Sequence, residues 1–325
     1  MQGACSGVGG GERHAVGVAR LLLLRLLEPA LEQRERALGR PGVVLEFGAR
    51  HLVFLVEGVG VGEVDLLDAV RSQPLELSIP AEWAQGRASF GGLVAALQYE
   101  AMRAKVPADR PVRSLAITFV GPVEPDVPVS FEVDVLREGK AVSQVLGRAV
   151  QKGQVVTLIQ GSFGASRPSE VAVAATPAPP MKHWDECQEL PYVKGVTPEF
   201  MRHLAMRWSV GGLPFSGNKS REMGGWVRLR GDVKEEAVSE SHILALVDAW
   251  PPSLLPHLNK PAMGSTLTWT IEFVQPLLEL STLDWCKYLV EIEHAADGYG
   301  HAAAKLWNVD GQLIAMSRQT VTIFA

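Results

Sequence analysis

Two stretches of this chain carry the same order of apolar and polar positions. Val112 to Val123 reads VRSLAITFVGPV and Thr266 to Leu277 reads TLTWTIEFVQPL. Aligned on Pro122 and Pro276, which are 154 residues apart, Ile117 meets Ile271, Phe119 meets Phe273 and Val120 meets Val274. Both are rich in β-branched and aromatic residues and both stop at proline, so both are expected to be strands. A second pair follows, Val150 to Val156 and Val309 to Ile314, now 158 residues apart. Each is expected to be a hairpin turned by Lys152-Gly153 or Asp310-Gly311. The change of offset puts four extra residues into the second copy, as loops allow.

A helix precedes the strands in each copy. Phe90 to Lys105 places Leu93, Val94, Leu97, Ala101 and Met102 at helical spacing, with no charge before Glu100. Ser239 is a natural N-cap for a helix through His242, Leu244, Leu246 and Val247 to Asp248, stopped by Pro251-Pro252. One apolar helix with about four antiparallel strands, written twice, implies an α+β chain in which a sheet wraps a helix in each half. The two sheets can then join edge to edge and hide exposed strands. The expected boundaries are an N-terminal extension over 1–63, a first unit over 64–166, a proline-rich linker over 167–195 and a second unit over 196–325. Gly224 to Arg230, containing Trp226, Val227 and Leu229, is expected to be a strand at an exposed edge.

The extension is glycine-rich, then rich in Leu and Arg, then glycine-rich again. Leu21 to Leu38 suits an amphipathic helix broken at Pro29, and a loosely ordered segment fits as well. Gly58, Gly60 and Gly62 miss the dinucleotide-loop spacing by one residue, and no helix-forming run follows.

Composition narrows the function. The 325 residues hold 31 Lys+Arg against 36 Asp+Glu, for a net charge of −5, which argues against nucleic acid as a partner. With 47% hydrophobic and 21% charged residues, a substantial core is available and global disorder is not expected. Cys5, Cys187 and Cys286 are scattered with no CxxC, so neither a disulfide framework nor a zinc site is encoded. That usage suits a reducing, cytoplasmic setting. The leucine run at 21–24 is too short to span a bilayer, and no membrane span is expected. No GxSxG nucleophile elbow occurs, which disfavours a serine hydrolase.

Particular residues carry a resemblance. In the first half they are Trp83-Ala84-Gln85-Gly86-Arg87-Ala88-Ser89-Phe90-Gly91-Gly92, the run RSLAITFVGPV, Val135-Leu136-Arg137-Glu138-Gly139-Lys140, and Gly161-Ser162-Phe163. In the second half they are Leu246-Val247-Asp248, Ser265-Thr266 and Ser317-Arg318-Gln319. In this order and spacing, residues 64–325 resemble the double-hotdog acyl-CoA thioesterases of the bacterial thioesterase II type. The resemblance implies a double hotdog, an acyl-CoA substrate, no cofactor, and a homodimer or larger assembly. It also implies an Asp, a Thr and a Gln from the second hotdog that polarise the attacking water, matched here by Asp248, Thr266 and Gln319. One departure is visible: Thr268-Trp269 stands where members near the bacterial enzyme have Asp-His.

The chemistry suits these residue types. Hydrolysis of a thioester needs an activated water and a site for the oxyanion. A carboxylate at a helix C-terminus is expected to have a raised pKa and to accept a proton more readily. Amides of Gly91 and Gly92, near a helix N-terminus, are candidates for meeting the oxyanion. Small residues there, with Ala95 and Ala96, leave space for an acyl chain or else mark close packing. Arg113, Arg137 and Lys140 are candidates for the CoA phosphates, or solvated charges beside turns. Asp248 also suits bonding a backbone amide near its Pro-Pro stop, Thr266 is a good strand former, and Gln319 suits an alternating strand. The repeat places Gln98, Val112 and Gly161 where the second copy has Asp248, Thr266 and Gln319, so one hydrolytic site per chain is expected. Two rivals remain: a silent acyl-CoA or lipid-binding protein, and a hotdog enoyl-CoA hydratase using the Asp297–His301 pair.

Overall fold

The helix and strand signals converge on one long sheet with two helices packed on its inner face. The structure is a computed structural model that describes residues 63–71, 76–231 and 235–324. The tracts before residue 63, with the helix expected over Leu21–Leu38, lie outside the described residues.

The first half begins with α1 (Glu63–Arg71), the short β1 (Glu76–Ser78), and a small hairpin of β2 (Ala84–Gln85) and β3 (Ala88–Ser89). Then come α2 (Gly91–Arg103), β4 (Val112–Phe119), β5 (Pro128–Glu138), β6 (Val142–Gln151) and β7 (Gln154–Gly164). The second half has β8 (Leu204–Val210), β9 (Glu222–Leu229), α3 (Glu240–Asp248), β10 (Met263–Phe273), β11 (Cys286–Ala296), β12 (Tyr299–Trp307) and β13 (Leu313–Phe324). Among the described residues the large sheet has the order β1-β5-β6-β7-β4-β10-β13-β12-β11-β9-β8.

The halves join where β4 and β10 pair antiparallel, from Thr118 with Thr268 to Ser114 with Glu272. The strand pair first singled out by the repeat is therefore the seam. Register extends the equivalence across each half. Leu115 pairs with Gly161 and Trp269 pairs with Gln319. Val112 pairs with Phe163 and Thr266 with Val321, and an irregularity follows each, before Ser114 and before Thr268. β1 beside β5 likewise matches β9 beside β11.

Turn chemistry fixes the hairpins. Lys152 (φ 52°) and Gly153 (φ 74°) turn β6 into β7, as the Lys-Gly pair predicts. Ser239 and His242 form the capping box of α3 by reciprocal bonds to backbone amides. The core is continuous, with Leu93, Val94 and Leu97 of α2 and Ile243, Leu244 and Leu246 of α3 in one buried cluster with Leu115, Trp269 and Ile271.

Three expectations change. α1 is an additional helix, whose Leu66, Leu67 and Val70 enter the core and whose Arg71 donates to Glu100 at 2.7 Å. Its spacing of i, i+1 and i+4 was a readable helix signal. β9 is not an edge strand, because β8 pairs along it and takes that place. The far end of the proline-rich stretch is not a bare spacer. Trp184 lies 5.9 Å from Trp285, Arg207 lies over both rings, and Trp226 Nε1 donates to the Lys182 carbonyl at 2.8 Å.

Trp269 anchors the seam: fully buried, it donates through Nε1 to Ser317 Oγ at 2.8 Å. Trp269→Ala is expected to cost about 3–5 kcal/mol of stability, read by urea or thermal unfolding.

Candidate active site

Edge-to-edge joining sets the C-terminus of α3 against the N-terminus of α2. Asp248, the last residue of α3, reaches across to the other half. Its Oδ1 accepts a hydrogen bond from Gln319 Nε2 at 3.0 Å, and the carboxylate also accepts from the Gly92 backbone N–H. Asp248 as a whole residue is half-buried, and its carboxyl group is surrounded by protein.

Glycine is required opposite the carboxylate. A Cβ on Gly91 would lie 3.0 Å from Asp248 Oδ2 and 3.2 Å from Phe119 Cζ. On Gly92 it would lie 2.6 Å from Phe90 Cζ and 2.9 Å from Asp248 Cβ. The approach is held by aromatic contacts between the halves: Trp83 stacks on His203 at 4.0 Å and Phe90 on Phe200 at 4.2 Å. The Ala84–Ser89 hairpin, turned at Gly86 (φ 70°), ties Trp83 to Phe90 through a 2.8 Å backbone bond. These are the roles of the WAQGRASFGG run.

A bulge turns Thr266 toward the inner face. Along β10, Trp269, Ile271 and Phe273 face inward and alternate with exposed Thr268 and Thr270. Strict alternation would turn Leu267 inward and Thr266 outward. Leu267 is instead the extra residue between Thr266 and Thr268, so Thr266 pairs with inward-facing Val321. Thr266 and Gln319 therefore share the inner face, one diagonal apart.

The departure from the family pattern is also located. Thr268 lies on the outer face, away from Asp248, and Trp269 is the buried anchor already described.

Burial dominates the electrostatics. It pushes the Asp248 carboxyl up to about 7, while the bonds from Gln319 and Gly92 hold it down. The rise expected from the α3 dipole is thus assigned to burial. The nearest helix end from the other half is the electropositive N-terminus of α2, which favours the ionised form.

Three other expected residues lie elsewhere. Arg113 is the second residue of β4, about six residues or ~20 Å from Phe119 beside the carboxylate. Its Nε donates to the Gly164 carbonyl at 2.9 Å. Arg137 and Lys140 are exposed at the β5–β6 hairpin, at that same end of the sheet. The structure does not bring these three to Asp248. Asp297 (φ 54°) and Gly298 (φ 80°) form the β11–β12 turn. His301 bonds Thr320 at 3.2 Å on the outer face, so this pair is remote from the site.

The matching positions of the first half lack the constellation. The helix starts, Gly91 and Glu240, are 149 residues apart, so Asp248 falls opposite Tyr99 and not opposite Gln98 as expected. Tyr99 is buried near Phe163, Gln98 donates to the Glu132 carbonyl at 3.3 Å, and a Cβ on Gly161 would be crowded by Phe163 and Met102. Where α2 has its glycines, α3 has Glu240, which accepts from Gln275 at 2.9 Å, and Ser241, which donates to Glu100 at 2.5 Å.

Two measurements test this geometry. Gly92→Ala is expected to lower activity at least about tenfold and destabilise the fold by roughly 1–3 kcal/mol, because Phe90 and Asp248 must shift. Folded Asp248 keeps its proton to about pH 7, whereas an unfolded Asp releases it near pH 3.8. The fold therefore loses stability as pH rises between those values. Asp248→Asn removes that loss, so its Tm should exceed that of the parent at pH 8 and not at pH 4.

The comparisons bear on the fold and the family. The family model described as the acyl-CoA thioesterase N-terminal domain matches residues 79–164, and that for the acyl-CoA thioesterase C-terminal domain matches residues 184–323. Acyl-CoA thioesterase 2 of Haemophilus influenzae is 26% identical over 250 residues, covering 72% of this chain and 86% of the relative. Among solved structures, a hot dog protein of unknown function from Alicyclobacillus acidocaldarius is 22% identical with a TM-score of 0.66, covering 77% of this chain and 92% of its own. The tesB protein of Mycobacterium avium subspecies paratuberculosis is 18% identical with a TM-score of 0.64, covering 81% and 100%. The two likenesses speak for the double-hotdog fold, and with both domain models matched in order, the chain belongs to the acyl-CoA thioesterase family.

Proposed function

We propose that this member of the acyl-CoA thioesterase family hydrolyses its substrate at Asp248, with Gln319 and Thr266 as partners. The reading is carried by one observation: a buried carboxylate held by Gln319 and by the N-terminus of α2, with its pKa near 7. With Gln319 on Oδ1 and Gly92 N–H also bonded, the carboxylate still has lone pairs to accept a water proton. As Asp248 takes that proton, the water oxygen attacks the thioester carbonyl carbon. The tetrahedral intermediate then collapses, the carbon–sulfur bond breaks, and the proton passes to the departing CoA sulfur. Thr266, neutral and on the same face, orients the water. With Gly92 N–H given to Asp248, Gly91 N–H is the amide left for the oxyanion.

The site is single in each chain, since the mirror position holds Tyr99 and Gly161 in place of Asp and Gln. The free, buried Cys187 and Cys286 support a reducing cytoplasm. No helix among the described residues is long and apolar enough to cross a membrane. Assembly into a homodimer would cover the sheet's open edges, and sedimentation would read it.

Thiol release from acyl-CoAs tests the proposal. Asp248→Asn should lower kcat by at least about 100-fold with acyl-CoA binding retained. In the parent protein kcat/KM should fall about tenfold per pH unit below pH 7 and level off above it. Full activity in Asp248→Asn, or a flat profile from pH 5 to 8, would sink the assignment.

A further inference from the structure

Beside Gln319 the inner face of the second half holds a small cavity, between the chain leaving α3 and the strands β11, β12 and β13. It leaves about 10 Å³ for the centre of a water molecule, room for about one. Gln319 belongs both to its wall and to the Asp248 pair, whereas Asp248 is not part of the wall. The cavity therefore lies behind Gln319 as seen from the carboxylate.

Its lining suits a water. Tyr288, Ser317 and Gln319 carry polar groups there, and Ala302 and Ala304 of β12 leave the room between them. A buried water takes about three such partners. Register sets their order. Ser317 and Gln319 are successive inward positions of β13, and Ala304 pairs with Ser317 on one side and with Val290, the inward residue next to Tyr288, on the other.

Each of the three has bonding capacity left. Ser317 Oγ accepts from Trp269 Nε1 at 2.8 Å, which leaves its own proton to donate. Tyr288 is only 6% exposed, yet among the described residues nothing bonds its hydroxyl. Its ring is fixed by stacking on Trp250, with centroids 5.0 Å apart and planes 6° apart. Burial, and then the Asp248 carboxylate, keep the phenol protonated and so a donor. Gln319 uses Nε2 on Asp248, and among the described residues nothing bonds its Oε1.

The Gln319 amide has two ends, and only one suits Asp248. Nε2 toward the carboxylate attracts it, whereas Oε1 turned that way would set acceptor against acceptor. A donor behind Gln319 that bonds Oε1 selects the first arrangement.

We infer that the cavity holds one ordered water, which accepts from the Tyr288 and Ser317 hydroxyls, donates to Gln319 Oε1, and so keeps Nε2 turned toward Asp248. The inference rests on hydrolysis at Asp248 and adds Tyr288 to it as a positioning residue. This water is distinct from the one that attacks the thioester, because Gln319 stands between it and the carboxylate. Without it the amide can turn, and the Gln319 bond that holds the Asp248 carboxyl down is weakened. The base then titrates at higher pH.

The test is Tyr288→Phe, which removes the hydroxyl and keeps the ring on Trp250. A crystal structure of the parent should show a water within hydrogen-bond distance of Tyr288 Oη, Ser317 Oγ and Gln319 Oε1, and that of Tyr288→Phe should lack it. Thiol release followed from pH 5 to 9 reads the consequence. In Tyr288→Phe the midpoint of kcat/KM should rise by at least about half a pH unit, which lowers kcat/KM at pH 6 about threefold. KM should stay within about twofold of the parent's. A merely structural role would lower the Tm and leave the midpoint in place, and that outcome overturns the inference. A dry cavity in the parent overturns it as well, and both results leave hydrolysis at Asp248 standing. No release from any acyl-CoA by the folded parent overturns the hydrolytic reading, and the role of Tyr288 with it. Should Tyr288→Phe not fold, the parent crystal structure decides alone.

Discussion

Everything at the candidate site depends on the antiparallel pairing of β4 with β10. It converts two half-sheets into one and removes an exposed edge from each. Because the halves are related about that seam, their helices must meet beneath it, the C-terminus of α3 approaching the N-terminus of α2. A carboxylate on one helix end then faces the free N–H groups of the other. Neither half alone contains the pair, since Asp248 and Gln319 come from the second and Gly92 from the first.

The same geometry offers a mirror position, and the sequence closes it. Tyr99 stacks near Phe163 at 6.3 Å, Gln275 ties Glu240 to the Val112 carbonyl, and Ser241 and Arg71 both bond Glu100. Here side chains pack and bond the helices together, where on the other side glycines let the backbone approach Asp248 directly. One helix contact is closed by side chains, and its counterpart brings a carboxylate against backbone amides.

Much of this was readable in the chain. The two proline-ended strands, the Lys152-Gly153 turn and the Ser239 cap depend on local propensity and on φ preferences. The offsets of 154 and 158 residues even gave the pairing equivalence of Gly161 with Gln319, since register follows from the alternation of side chains. Other features depend on tertiary placement. Nothing local in Leu267 announces the bulge that turns Thr266 inward. The position of β9 one strand inside the edge depends on β8, whose partner is distant in sequence only by a loop of irregular chain. The basic residues Arg113, Arg137 and Lys140 matched a chemical need, but strand direction carries Arg113 on β4, and the β5–β6 turn with Arg137 and Lys140, to the end of the sheet away from Asp248. The helix dipole was the wrong cause for Asp248, because a helix end seen in sequence says nothing of the second helix that faces it.

That facing arrangement explains why the carboxylate can work near neutral pH. Burial alone would keep Asp248 protonated and useless as a base. The bonds from Gln319 and Gly92 alone would hold it ionised but weakly basic, as a carboxylate in an electropositive cradle. With burial the largest effect and two donors opposing it, the group reaches about 7. It can then accept a proton from water and return it to a thiolate within one pH regime. The cost is borne by the fold, which must carry a desolvated carboxylate. The continuous core of both helices and the seam strands supplies the stability that a small single hotdog would lack. The duplication therefore provides a second helix end to complete the site and enough buried surface to tolerate it.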